Sequence, residues 1–341
     1  MHLVINKFGS TVYVKDRKFE IRNKDGKVFF APSKVDSIFM MRGTKLTTDA
    51  INLAVNNNID LVFLEKSGEP YGRVWSNRYG SVSTIRKQQV FFSEADASLE
   101  WVQQTTSEKI QSQLTLLKSL MHDRPAKKSM IQDGISFLQK MDTSVQQLNT
   151  VEPGFKDSLR GLEGNASKAY FRVLSEIVPD TYKFKTRSRR PAKDMFNAML
   201  NYMYGILYAR VEGSLIKAGL DPYLGIFHRD DYNKPVLAFD MIEKYRVWAD
   251  TVTLRLCIKR IPEEYMFENK KGGVWLGNAG KKIVIESFND YMDEVIQLNH
   301  RRRSRMNHIE DDMHHFAKFL ESHDFRNSIY KKQDNSKDLP V

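Results

Sequence analysis

The chain has 341 residues, 41% of them hydrophobic and 28% charged, which is enough apolar material for one large domain or two ordinary ones and excludes a disordered chain. The longest apolar runs, such as Val236 to Phe239, are too short to span a bilayer, and no basic-then-apolar signal pattern opens the sequence, so a cytoplasmic protein without membrane attachment is expected. A total of 53 Lys plus Arg against 42 Asp plus Glu leaves a net charge of +11, which suits a polyanionic partner, and the single Cys257 excludes an internal disulfide.

From Met1 to about Trp75 short strand-like runs (Leu3 to Ile5, Thr11 to Val14, Phe19 to Ile21, Val28 to Phe30, Ile38 to Met41) alternate with Gly, Asn and Asp turn residues. One helix interrupts them, capped at Thr47 or Thr48 and stopped by Asn56-Asn57-Asn58. Ile59 to Leu64 is nearly all apolar and reads as a buried strand, followed by a Ser67-Gly68 turn and a further strand. Tyr71, Arg73, Trp75, Arg78 and Tyr79 mix aromatic and basic side chains, as half-buried strand residues or nucleic-acid contacts do.

Ser76 to about Gln89 is polar and basic, and beyond it the hydrophobic period changes from two to nearly four. Leu99, Val102, Thr106, Ile110, Leu114 and Leu117 recur at helical spacing, and Ile131, Ile135 and Leu138 mark a second helix after the Pro125 break. Phe196, Met199, Leu200, Met203, Leu207 and Val211 predict an amphipathic helix. Ile285, Phe288, Met292, Val295 and Leu298 predict another, resumed by Met306, Ile309, Met313, Phe316 and Leu320. The expected fold is α+β: an N-terminal small antiparallel β-domain over residues 1–80, a linker over 81–90, a larger all-α domain over 91–325 and a loose polar tail over 326–341.

Four acid or imidazole side chains stand out in this second part. Glu163, in Leu162-Glu163-Gly164, is placed at or just before the first turn of a helix through Ala166, Ala169, Tyr170, Val173 and Leu174. A carboxylate there complements the helix dipole by roughly 0.3–1 kcal/mol, while Gly161 and Gly164 also permit close approach of a ligand. His228 follows Gly225-Ile226-Phe227, and Asp240 and Glu243, three residues apart, share one face if their segment is helical. Neighbouring carboxylates repel unless a cation or a proton lies between them, and carboxylates with a His form a ligand set for Mg²⁺ or Mn²⁺. Spacing alone does not join residues this far apart in sequence.

Two basic stretches suit phosphate backbones or solvated surface equally: Lys183 to Arg190, with Arg187, Arg189 and Arg190, and Arg301, Arg302, Arg303 and Arg305, which are expected within a long helix or at a helix junction.

The chain resembles the CRISPR-associated spacer-acquisition integrases, the larger of the two universal CRISPR adaptation proteins. The resemblance runs through Arg42-Gly43, Ile59 to Leu64, Gly68 to Arg73, Leu162-Glu163-Gly164 with Ala166 and Tyr170-Phe171, Arg189-Arg190-Pro191 with Asn197, His228, and Phe239-Asp240 with Glu243 and Arg246. It implies an N-terminal β-domain that dimerises and contacts DNA, and a helical domain in which Glu163, His228 and Glu243 are catalytic ligands of Mg²⁺ or Mn²⁺, supported by Asp240. It implies a homodimer that works with the smaller adaptation protein and joins the 3′-hydroxyl ends of short DNA duplexes to the CRISPR repeat, with the basic stretches on the DNA. Lys244-Tyr245 departs from the Pro-Phe found in many members. Two alternatives stand beside this reading: a transposon-type or branched-DNA metal nuclease outside CRISPR adaptation, and a non-catalytic DNA-binding scaffold.

Overall fold

A computed structural model describes residues 1–57, 59–66, 68, 70–74, 83–228, 234–270, 272–298 and 300–326. The expectations for Trp75, Arg78, Tyr79 and for the tail beyond 326 fall outside these residues.

The N-terminal part contains strands β1 (His2–Ile5), β2 (Thr11–Lys15), β3 (Lys18–Asn23), β4 (Gly26–Phe30), β5 (Ser37–Met41) and β6 (Lys45–Leu46). Helix α1 (Thr48–Asn56) and strands β7 (Asp60–Leu64) and β8 (Pro70–Val74) complete it. The strands form two four-stranded sheets, ordered β1-β5-β7-β8 and β4-β3-β2-β6. Pairing is mixed. β2, β3 and β4 are antiparallel, as are β7 and β8, but β1, β5 and β7 run parallel and β6 runs parallel to β2. Helix α1 makes the β5 to β7 connection long enough for a parallel crossover, which a hairpin loop cannot provide.

Every residue of β5 is buried because the strand is covered on both faces. Ile38 and Met40 pack with Val12, Phe19 and Leu61 in the N-terminal core, whereas Phe39 and Met41 join Val62, Leu64 and Ala209 of the helical part. Period-two alternation therefore sorts β5 between two cores, and a run apolar on both faces is what this position requires. Arg73 locks the junction. Its guanidinium holds Asp60 at 3.0 Å and donates to the Ala209 carbonyl at 2.5 Å and to Glu212 at 3.1 Å.

The helical part comprises α2 (Ser83–Glu94), α3 (Asp96–His122), α4 (Lys128–Gln146), α5 (Phe155–Ile177), α6 (Met195–Lys217), α7 (Val236–Ile242), α8 (Arg246–Ile258), α9 (Asn278–Asp293) and α10 (Arg305–Ser322). It also carries the antiparallel pair β9 (Phe267–Lys270) with β10 (Gly273–Leu276), and β11 (Val295–Leu298) with β12 (Arg301–Ser304). Of the expected linker 81–90, residues 83–90 are the start of α2, whose Ile85 and Phe92 are buried in the helical core. Helix α6 is surrounded rather than amphipathic: Phe196, Met199, Tyr202, Tyr204, Leu207 and Arg210 are all buried and point to different sides.

The basic block lies at a helix junction, one of the two places expected for it, but the junction is a β-hairpin between α9 and α10 and the helical stripe expected to run into it ends early. Arg301 to Arg303 lie on β12, not on a helix, and Val295 and Leu298, read as helix-stripe residues, are exposed on β11. The spacing 292, 295, 298 satisfies a helical period, but the segment is too short for periodicity to tell a strand from a helix.

No helix among the described residues is long and apolar enough to cross a membrane.

Candidate metal and nucleic-acid site

A cleft of about 2610 Å³ opens along α3, α4, α5, α6 and α7, and Glu163, His228 and Glu243 all line it. Glu163 lies in the middle of α5, not at its first turn. The helix is preceded by Gly154, whose φ of +86° is a left-handed conformation that suits glycine, and it buries Leu159, Ala166, Tyr170, Val173 and Leu174. Glu163 is thus turned to the cleft by the phase of the helix, and the dipole explanation for it does not apply at mid-helix.

Asp240 is buried on α7 and ties down the segment that carries His228. Its carboxylate accepts the backbone N–H groups of Ile226 (2.7 Å), Phe227 (3.1 Å) and His228 (3.1 Å), and His228 Nδ1 at 2.6 Å. Gly225 makes the turn possible: a Cβ there would meet the His228 carbonyl oxygen at 2.6 Å and Val236 Cγ2 at 2.9 Å. Because Asp240 is an acceptor, Nδ1 carries the proton and Nε2 keeps its lone pair, the tautomer a metal ligand needs. Asp240 and Glu243 divide their work: one orients the imidazole, the other joins a charge cluster.

That cluster is centred on Lys109. This residue of α3 occupies the buried stripe formed by Val102, Thr106, Ile110 and Gln113. Its ammonium lies between the carboxylates of Glu163 and Glu243, 2.5 Å from Glu243 Oε2. Arg246 approaches Glu243 from the other side, with Nε donating to Oε1 at 2.7 Å and Nη2 to the Tyr208 hydroxyl at 2.6 Å. Burial opposes the charge on Glu243, but Arg246 and then Lys109 outweigh it and hold its pKa down to about 2. Burial likewise opposes the Lys109 ammonium, and Glu243 and Glu163 overcome it, so its pKa is raised. Glu163 and Glu243 are therefore brought together on one cation. His228 stands outside that contact and lines the same cleft. No group of three His, Cys, Asp or Glu side chains gathered to hold a metal occurs among the described residues.

The donor chemistry nevertheless fits a divalent cation. Two carboxylates already converge on a positive charge, and an imidazole with its Nδ1 proton committed lines the same cleft. The positive charge they converge on in this structure is the Lys109 ammonium.

Behind the cluster lies a second buried acid. Asp250 on α8 accepts the hydroxyls of Tyr204 (2.6 Å) and Tyr170 (3.0 Å), and Arg246 stacks over the Tyr204 ring at 4.7 Å. Burial raises the Asp250 pKa to about 6, against the hydrogen bonds from the two tyrosines.

The seven arginines expected on nucleic acid divide. Arg189, Arg190, Arg301, Arg302 and Arg303 are exposed. Arg187 is instead half-buried, hydrogen-bonded to Asn197 and Asn201 and stacked over Phe171 and Tyr204. Arg305 is buried, with Nη1 donating to the Tyr291 carbonyl at 2.6 Å and its guanidinium 3.5 Å above the Tyr291 ring. Arg305 is held within the fold, whereas Arg187 is braced by its neighbours on the wall of the cleft, since a guanidinium offers a flat face to aromatic rings as well as donors to oxygens. Of the exposed five, Arg189 and Arg190 line the cleft, together with the exposed Arg160, Lys168, Arg172 and Lys185.

Lys109, Tyr204 and Asp250 were not among the expected site residues. For Lys109 the signal exists in the sequence as a lysine three residues beyond Thr106 on a core-facing helical stripe. A buried charge needs an opposite partner there.

A sequence model described as CRISPR associated protein Cas1 matches residues 3–290. The CRISPR-associated endonuclease Cas1 1 of Archaeoglobus fulgidus is 29% identical over 315 residues, covering 88% of this chain and 91% of that protein. Among solved structures, a casposase bound to integration product superposes with a TM-score of 0.79 at 21% identity, over 94% of this chain and 90% of that one. A Cas6-RT-Cas1–Cas2 complex superposes with a TM-score of 0.77 at 19% identity, over 94% of this chain and 35% of that one. With the family match spanning the β-part and most of the helical part, the chain belongs to the CRISPR-associated Cas1 family.

Proposed function

We propose that this protein is a divalent-metal-dependent DNA integrase and endonuclease of CRISPR adaptation, which joins 3′-hydroxyl ends of short duplexes to the CRISPR repeat. The observation that carries the reading is the pair Glu163 and Glu243 closing on one cation in a cleft lined by exposed arginines and lysines. Glu163, His228 and Glu243 would hold Mg²⁺ or Mn²⁺, with Asp240 in support. When bound, that ion supplies Lewis-acid stabilisation of the charge that builds on the phosphate oxygens during ester exchange.

The chain's own residues do the rest. Arg246 keeps Glu243 ionised and fixes the direction of its carboxylate. Asp240 holds His228 in one tautomer and one orientation. Arg160, Lys168, Arg172, Lys185, Arg189 and Arg190 bind phosphates along the cleft and set the position of the reacting ester. In the exchange one P–O bond forms as another breaks, and the proton of the attacking hydroxyl passes to the leaving oxygen. Arg301, Arg302 and Arg303, outside the cleft on β12, provide a second backbone contact.

The names of two structural neighbours, one bound to an integration product and one a complex with Cas2, support an integration reaction and Cas2 as the smaller partner; DNA as substrate and a homodimer acting in the cytoplasm complete the proposal.

The test incubates the purified protein with Mn²⁺, a supercoiled plasmid carrying a repeat and short duplexes with free 3′-hydroxyls, with and without the smaller protein. Joining that is lost in Glu163→Ala supports the proposal. Cutting of branched DNA without joining favours the nuclease alternative. DNA binding with neither reaction favours the scaffold.

A further inference from the structure

We infer that Lys109 is an internal counter-ion that occupies the divalent-cation position of the free protein and must be displaced for the metal to bind. The inference rests on reading Glu163 and Glu243 as metal ligands and goes beyond it by assigning a role to a third helix.

The argument is one of space and charge. The Lys109 ammonium touches Glu163 Oε1 and lies 2.5 Å from Glu243 Oε2, so it fills the space between the two carboxylates that an ion shared by them would take. An ion reaching both oxygens and an ammonium reaching both oxygens therefore exclude one another. The charges agree with this. Glu163 and Glu243 are balanced by Lys109 and Arg246, and the Lys109 and Glu243 side chains are only 10% and 15% exposed. A divalent ion added beside a retained ammonium would leave two surplus positive charges in a site with little water to screen them. With the ammonium withdrawn into the cleft, the metal replaces it on the same two oxygens. Arg246 stays, since it is held separately by Glu243 Oε1 and the Tyr208 hydroxyl.

Lys109 has two consequences for the cycle. Without metal it keeps two facing carboxylates from repelling each other, so the site is assembled before the ion arrives. It also weakens metal binding, because part of the binding energy is used to break an ion pair.

The experiment measures Mn²⁺ binding to the full chain, without DNA, by calorimetry and by the electron paramagnetic resonance of free Mn²⁺. Wild type and Glu163→Gln define the site. Lys109→Met, which keeps length and removes charge, is expected to bind Mn²⁺ about tenfold tighter than wild type or better, a shift of about 1.4 kcal/mol. Lys109→Arg, which keeps the cation, is expected to bind no tighter than wild type. Glu163-dependent Mn²⁺ binding that is equal or weaker in Lys109→Met overturns the role of Lys109 and leaves the metal site standing. Absence of Glu163-dependent Mn²⁺ binding in both proteins overturns the two together. A second measurement does not depend on the Met variant folding. In wild type labelled on lysine with ¹³C and ¹⁵N, Mg²⁺ is expected to move the Lys109 side-chain resonance, assigned by its loss in Lys109→Arg, towards those of exposed lysines. A Lys109 resonance that stays put while Mg²⁺ binds overturns the inference.

Discussion

Glu243 and Asp250 are neighbouring acids in one cleft, at the end of α7 and within α8, the first largely and the second fully shielded from water, yet their surroundings drive them in opposite directions. Glu243 meets two cations, Arg246 at 2.7 Å and Lys109 at 2.5 Å, and its pKa falls to about 2. Asp250 meets two tyrosine hydroxyls, at 2.6 and 3.0 Å, and its pKa rises to about 6. Both pay the desolvation of a buried carboxylate. A full opposite charge within contact repays that cost, and two neutral hydrogen bonds repay only part of it. Glu243 is consequently an anion throughout the working pH range and suited to a cation, whereas Asp250 belongs to the packing that supports Arg246 through Tyr204.

The strongest way to break this contrast is to neutralise Glu243. Glu243→Gln leaves the largely shielded Arg246 and the buried Lys109 with one carboxylate between them, and unfolding by urea should show a loss of about 3 kcal/mol or more, together with loss of strand joining. A fully stable variant would mean that the cluster is not energetically coupled.

Asp250 gives the next effect, with the opposite sign. Its folded pKa of about 6 lies above the ordinary 3.8, so the folded state binds this proton more tightly than the unfolded one. The resulting stability is fully present below pH 3.8 and is lost as pH rises through about 6, amounting to about 2–3 kcal/mol. Asp250→Asn should flatten this part of the stability–pH curve while the Glu243-dependent chemistry keeps its dependence on Mn²⁺. An unchanged curve would remove Asp250 from the account.

Asp240→Asn tests orientation rather than charge pairing. It retains the size of the side chain but not the acceptor for His228 Nδ1–H, and about a 10–100-fold loss in Mn²⁺ affinity or strand joining is expected. The smallest effect belongs to the rim: Arg189→Ala should lower the slope of log affinity against log salt by about one for any duplex sequence. The same substitution at Arg187 should instead lower stability, because its guanidinium is bonded to Asn197 and Asn201.

Local order was legible in the amino-acid sequence wherever one residue type acts on its near neighbours. Turn residues between short apolar runs marked the strands of the N-terminal part, Thr47 marked the cap of α1, and the stripe from Leu99 to Leu117 marked α3. The acids and His228 were legible as candidates through residue chemistry and family resemblance. Tertiary structure alone decided the parallel pairing of β5, the hairpin that carries Arg301 to Arg303 between α9 and α10, and the stacking of the half-buried Arg187 and the buried Arg305 against aromatic rings. It also decided that Lys109, Glu163 and Glu243, from three distant segments, meet on one charge. Periodicity records which face of a helix is apolar, but a salt bridge between helices is set by their packing in space, which leaves no repeating interval in the chain to read.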